Sequence, residues 1–278
     1  MSIAYYNGAF AEYERIAIPL CDRSVYFGDA IYDAAIGRGG RIYLEDMHIS
    51  RFMKNAKRLG INLTLGRNGI SDILHEVIQK NDLDSYFIYF QLSRTASERR
   101  HAFKDGDGAS LLVTIREHTL PDADARLKLI TERDIRHQMC DVKTTCLLPA
   151  ALASQRAESE GCDEAVLLRD GIVTECAHSN IAIVKNGVLL THPNSPYILP
   201  GITRERLLFY CERLNIPYKE EPFAKDELYS ADEILVTSTT KLALLASEID
   251  KIPLEIKKNS LGETLISALR DDYWNLME

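Results

Sequence analysis

Lys143 lies in Met139-Cys140-Asp141-Val142-Lys143-Thr144-Thr145-Cys146, a stretch apolar or small on nearly every side. A lysine in that company either packs its stem and returns its amine to water, or presents the amine to a carbonyl as a Schiff-base former. Glu175 follows Ile172-Val173-Thr174, just after an Asp170-Gly171 turn, and precedes Cys176-Ala177-His178-Ser179-Asn180. It is either a solvated carboxylate on an edge strand or a carboxylate aimed at the protonated ring nitrogen of a cofactor. Two stretches can cradle a phosphate. Leu199-Pro200-Gly201-Ile202-Thr203 turns into a helix whose first N–H groups point back along the chain. Thr237-Ser238-Thr239-Thr240 sets four hydroxyls in a row at the end of a strand. Their ordinary readings are Thr203 as a helix N-cap and the hydroxyl run as a polar turn.

Four further residues are candidates for a small-anion site. In Ser93-Arg94-Thr95-Ala96-Ser97-Glu98-Arg99-Arg100-His101, Arg99 and His101 alternate, so an extended backbone points both to one side, where they could clamp a carboxylate. The alternative is a solvated charged loop. Arg51 lies on the polar face of an early helix, and Tyr32 sits in Phe27-Gly28-Asp29-Ala30-Ile31-Tyr32-Asp33. Taken alone, the first reads as a solvating cation and the second as a packed aromatic.

The elements that must hold these residues are legible in outline. Asn7-Gly8, Gly39-Gly40, Asp170-Gly171 and Asn186-Gly187 each separate short apolar or alternating segments, the pattern of a hairpin closed by a turn with positive φ. Residues 86–94 and 110–116 are rich in aromatic and β-branched side chains and read as strands. Residues 45–59 and 69–80 repeat apolar positions at helical spacing. The polar, proline-containing stretch at 119–125 reads as a link between an α/β domain over 1–118 and a β-rich domain over 126–278. In the second, a strand at 127–132 and a helix at 149–160 lead into hairpins at 164–174 and 180–191. A helix at 203–214, a strand ending at Val236 and a C-terminal helix from about Ser260 complete it.

Composition narrows the class. A net charge of −8 with no long basic run argues against nucleic acid or an anionic membrane as partner. No apolar run approaches the ~18 residues of a membrane span. The first eight residues show neither the basic nor the apolar region of an export signal, and six cysteines occur without a C-x-x-C pair. Reduced thiols and a cytoplasmic location are expected. The seven histidines form no H-x-H or H-x-x-x-H pair, so no metal is expected.

Seven stretches in order, from residue 22 to 240, resemble the fold-type IV pyridoxal-phosphate enzymes, most closely bacterial D-amino-acid aminotransferases. They are Asp22-Arg23-Ser24-Val25-Tyr26-Phe27-Gly28-Asp29-Ala30-Ile31-Tyr32, His48-Ile49-Ser50-Arg51, Arg99-Arg100-His101, Cys140-Asp141-Val142-Lys143, Val173-Thr174-Glu175, Gly201-Ile202-Thr203-Arg204 and Val236-Thr237-Ser238-Thr239-Thr240. The resemblance implies a two-domain α+β fold and pyridoxal 5'-phosphate held covalently by Lys143, which also shuttles the proton at the substrate α-carbon. It implies Glu175 on the pyridine nitrogen, the phosphate on Arg51, Ile202, Thr203, Ser238 and Thr239, and the substrate carboxylate on Tyr32, Arg99 and His101. The last loop comes from the other subunit in that family, so a homodimer is implied, acting on D-alanine- or D-glutamate-type amino acids and 2-oxo acids. A branched-chain L-aminotransferase or a 4-amino-4-deoxychorismate lyase is the alternative within the fold. A phosphate-ligand binding protein without covalent chemistry is the alternative outside it. After Glu175 the family usually places Gly and Ser, whereas this chain has Cys176, Ala177 and His178.

Overall fold

Two-residue turns set the antiparallel frame. Both central residues of all four Gly-containing turns have positive φ, as in Asn186 at 52° and Gly187 at 75°. Such turns twist in the sense of the strands they join. A computed structural model describes residues 2–104, 108–255 and 260–277. The chain divides into two compact units, Met1–Thr119 with Val142–Cys146 and Leu276–Glu278, and Leu120–Asp141 with Leu147–Asn275.

The first unit contains β1 (Ile3–Tyr6), β2 (Ala9–Glu12), α1 (Arg23–Phe27), β3 (Ala30–Arg38), β4 (Arg41–Ile42), α2 (Glu45–Arg58), α3 (Arg67–Gln79), β5 (Ser85–Arg94) and β6 (Ala109–Glu117). Its six strands form one antiparallel sheet in the order β2-β1-β6-β5-β3-β4. Alternation decides what each face carries. Tyr86, Ile88, Phe90 and Leu92 of β5 pack with Ile49, Phe52 and Ala56 of α2 and Leu74 and Val77 of α3. Ile31 and Ala35 of β3 join them. Asp33, between these two in the alternation, therefore also turns toward the helices, while Tyr32 turns to the opposite face.

The expected boundaries put Lys143 in the second domain, and here the units differ. Residues Val142–Cys146 pack with the first unit, because Thr144 bridges to Ile31 and the Tyr32 N–H donates to the Lys143 carbonyl at 2.9 Å.

The second unit contains β7 (Arg126–Arg133), α4 (Leu148–Ser159), β8 (Glu164–Arg169), β9 (Ile172–Cys176), β10 (Asn180–Lys185), β11 (Val188–Thr191), α5 (Ile202–Arg213) and β12 (Tyr218–Glu220). It continues through α6 (Lys225–Tyr229), β13 (Glu233–Ser238), β14 (Leu242–Ile249), β15 (Ile252–Pro253) and α7 (Leu261–Met277). The sheet runs β12-β11-β10-β13-β14-β7-β8-β9, with β15 on β14. Its central strands are buried on both faces. Ala182, Val184 and Leu235 pack against Leu207, Leu208 and Cys211 of α5 and Leu265 and Leu269 of α7. Ile181, Ile183, Ile234 and Val236 face the other way, onto Phe223 and Leu228. The second unit is mixed, with β7 parallel to both β8 and β14. Among the described residues no helix is long and apolar enough to cross a membrane.

Candidate active site

In the first unit, Lys143 is half-buried in the short segment that pairs with β3. Its Nζ donates to the Tyr32 hydroxyl at 3.3 Å and stands 4.3 Å from the centre of that ring. Among the described residues it forms no ion pair. Tyr32 in turn stacks on Tyr89, with ring centres 5.3 Å apart. The β3–β5 register pairs Tyr32 with Gln91 and Ala34 with Tyr89, so these side chains share one face of the sheet. Tyr89 donates to the Gln91 side-chain Oε1 at 2.6 Å. Burial, with Tyr32 beside it, raises the Tyr89 phenol and keeps it protonated.

On the opposite face, Arg51 is held rather than solvated. Its Nε and one terminal nitrogen each donate to Asp33 at 2.8 Å, a two-pronged contact, and His48 Nδ1 lies 2.8 Å from the same carboxylate. His48 and Arg51 are three residues apart on α2 and so share a helix face. Asp33 is fully buried. Burial alone would raise its carboxyl; Arg51 and His48 outweigh that and hold it well below the usual carboxylate range. Burial also pushes His48 below its usual value, which favours the neutral ring.

The 99–101 loop is a bend rather than an extended run. Arg23, itself fixed to Asp29 at 2.7 Å, donates to the carbonyls of Arg100 and His101 at 2.5 and 3.0 Å. Arg99 and His101 both lie against Phe27. The guanidinium carbon lies 5.4 Å and the imidazole 5.3 Å from the Phe27 ring centre. Both are exposed.

In the second unit, Glu175 is buried, not solvated. Its Oε2 accepts from Asn180 Nδ2 at 2.9 Å and from the Leu199 N–H at 3.0 Å. Its Oε1 accepts from Arg136. Arg136 also donates to Asp134 through Nε at 3.0 Å and a terminal nitrogen at 3.1 Å, and to the Tyr197 carbonyl at 2.9 Å. Against its burial, the hydrogen bonds and charges of Asp134 and Glu175 keep the guanidinium firmly protonated. Burial opposes the Asp134 charge, but Arg136 and Arg169 outweigh it and lower the carboxyl.

The two predicted cradles flank the start of β10. Gly201, not Thr203, is the N-cap of α5, and no side chain caps the helix, so first-turn N–H groups are left for an outside acceptor. A Cβ at Gly201 would lie 1.9 Å from Asn180 Oδ1, so glycine here makes room for the residue that holds Glu175. Asn180 pairs with Thr237 in the β10–β13 ladder, which brings the end of β13 alongside. Ser238 ends that strand with its Oγ 3.4 Å from Thr240 Oγ1, and Thr239 is half-buried beside them.

The chain-specific departures resolve differently from one another. Cys176 is a core residue whose burial pushes the thiol well up. His178 is half-exposed, 3.1 Å from the fully buried Glu164 carboxylate, which also accepts from Ser179 at 2.8 Å. Sequence reasoning missed Asp33, Arg136, Asp134 and Asn180. Charged side chains flanking a β-branched or aromatic run were the available signal, but nothing local pairs them.

This arrangement belongs to a known class. The family model for class IV amino-transferases matches residues 30–249, and the chain belongs to that family. A D-alanine aminotransferase of Bacillus licheniformis is 34% identical over 88% of this chain and 87% of its own. One from Staphylococcus epidermidis is 31% identical over 90% of each. Among solved structures, a branched-chain aminotransferase of Thermoproteus uzoniensis, crystallised with norvaline, superposes with a TM-score of 0.90 at 24% identity over 100% of this chain and 96% of that one. The fold is fold-type IV.

Proposed function

We propose that this protein transfers the amino group of a D-amino acid, of the D-alanine or D-glutamate type, to a 2-oxo acid such as pyruvate or 2-oxoglutarate, using pyridoxal 5'-phosphate. The observation that carries this is Lys143, an amine free of carboxylate partners among the described residues and set against the Tyr32 hydroxyl at 3.3 Å. The relatives at 34% and 31% identity are D-alanine aminotransferases, whereas the branched-chain enzyme compared above supports the fold alone. The branched-chain and lyase alternatives therefore stand second.

The residues fit the cofactor. A buried carboxylate with three donors at its back suits a protonated ring nitrogen. An uncapped helix start and a row of hydroxyls suit a phosphate. Glu175 would meet the ring nitrogen. Arg51, the amides of Ile202 and Thr203, and the hydroxyls of Ser238 and Thr239 would hold the phosphate.

When bound, the cofactor supplies an electron sink for the pair left on the α-carbon as its proton departs. Lys143 would hold the cofactor covalently through Nζ and, as a neutral amine, would carry the proton at the substrate α-carbon. The Tyr32 hydroxyl, stacked on Tyr89, keeps Nζ on one side and bounds the substrate position. Tyr32, Arg99 and His101 orient the substrate carboxylate. Asp33 fixes the plane of the Arg51 guanidinium, so the phosphate meets a pre-oriented donor. The active unit is a homodimer in which the exposed 99–101 loop of one protomer serves the other. The compartment is the cytoplasm, in keeping with six free cysteines.

Arg99→Ala tests the clamp. It raises the KM for D-alanine by roughly 10- to 100-fold, the worth of a charge-assisted hydrogen bond, and leaves cofactor affinity within about threefold of wild type. Equal losses in both would remove Arg99 from the substrate site.

A further inference from the structure

We infer that Arg136 is the positioning residue of Glu175: clamped by Asp134, it fixes the orientation of the carboxylate and supplies the countercharge that lets it stay ionised while buried. This rests on the assignment of Glu175 to the cofactor's ring nitrogen and adds to it the group behind the carboxylate.

The geometry is one-directional. Asp134, buried on β7's continuation, takes two donors of Arg136 and a contact from Arg169 at 3.1 Å, and accepts from the Thr174 hydroxyl at 3.1 Å. Arg169 also donates to the Arg136 carbonyl at 2.9 Å, so main chain and side chain are held together. The Tyr197 carbonyl takes a further bond. What remains of the fork is aimed at Glu175 Oε1. Charges thus alternate along Arg169, Asp134, Arg136 and Glu175. Asn180 and Leu199 occupy only Oε2, and neither carries charge. Arg136 pairs with Glu175 as a cation and so offsets the cost of burying its charge. Lysine at this position would keep the charge but could not make the same set of contacts.

Removing the cation lets burial raise the carboxyl, so that Glu175 picks up a proton at neutral pH and gives it back as pH rises. Of the groups around it, Asp134 is held low, and burial keeps Cys176 well up and moves Cys140 to about 11. Burial lowers His137, with Arg136 and Arg169 adding to it.

The test measures the dissociation constant for pyridoxal 5'-phosphate in wild type, R136M, R136K, E175Q and R136M/E175Q, at pH about 6.5 and about 8.5. R136M is expected to bind about tenfold or more weakly at the lower pH, with much of the loss recovered at the higher. R136K, still cationic, shows a loss that changes little with pH. In the E175Q background R136M adds less than about twofold, and the pH dependence of the double variant matches that of E175Q. A pH-independent loss in R136M that adds in full to that of E175Q would overturn the inference and make Arg136 a scaffold residue only. Thermal unfolding of each apoprotein identifies a variant that fails to fold, and R136K then decides alone, since a loss in it that is largely recovered at the higher pH would also overturn the inference. Wild type that takes up no cofactor at all contradicts the assignment of Glu175 itself, a result distinct from either.

Discussion

Lys143→Ala is expected to lose at least about 10³-fold in D-alanine turnover, because one side chain both holds the cofactor and carries the proton. Its amine meets the Tyr32 hydroxyl at 3.3 Å, and a phenol cannot form the covalent link that an amine can. The variant should also lose its cofactor on dialysis while keeping the far-ultraviolet circular dichroism of the wild type, since Lys143 is half-buried and its backbone carbonyl, which the substitution keeps, accepts from the Tyr32 N–H of β3. Turnover and cofactor retention measured together separate this from a protein that merely binds a phosphorylated ligand. In that case, removing Lys143 would leave affinity nearly unchanged.

The largest effect on stability is expected at Asp33. Asp33→Asn keeps the shape and removes the charge, leaving the largely buried Arg51 beside a neutral amide at a position that is itself fully buried. Breaking a buried pair from one side costs about 3–5 kcal/mol. The dependence on pH has a definite sign. The folded carboxyl titrates below its ordinary value, so its contribution is complete above the unfolded value of about 4 and is lost as pH falls through the lower folded one. Urea unfolding at neutral pH should show the full difference between wild type and variant, and the gap should narrow in acid. A difference below about 1 kcal/mol at neutral pH would mean that the cluster is no better than a surface pair.

These two residues also mark what the sequence could and could not convey. Lys143 stood out because a charged side chain in apolar company is unusual. Its placement with the first unit was not legible, since that depends on pairing with Ile31, more than a hundred positions away. Asp33 adjoins Tyr32 in sequence but faces the other side of β3, and its partners His48 and Arg51 lie 15 and 18 residues on. Arg136 lies 39 residues from Glu175. By contrast, turns of the Asn-Gly, Asp-Gly and Gly-Gly type and the aromatic and β-branched run of β5 are local signals, and they located the hairpins and a strand of the first core. The parallel contacts of β7 with β8 and β14 leave no such mark, because no tight turn joins the strands. Where a contact is local the pattern carries it; where it closes a long loop, only the fold does.

The central claim is amino-group transfer from a D-amino acid, and a single-turnover reaction tests it most directly. Cofactor-loaded protein is mixed with D-alanine, or with L-alanine as the paired control, without any 2-oxo acid acceptor, and pyruvate is measured. About one equivalent of pyruvate per active site from D-alanine and none from L-alanine is the result expected of a transaminase that hands the amino group to its cofactor. Pyruvate from L-alanine at an equal rate, or none from either enantiomer by a fully loaded protein, would contradict the assignment.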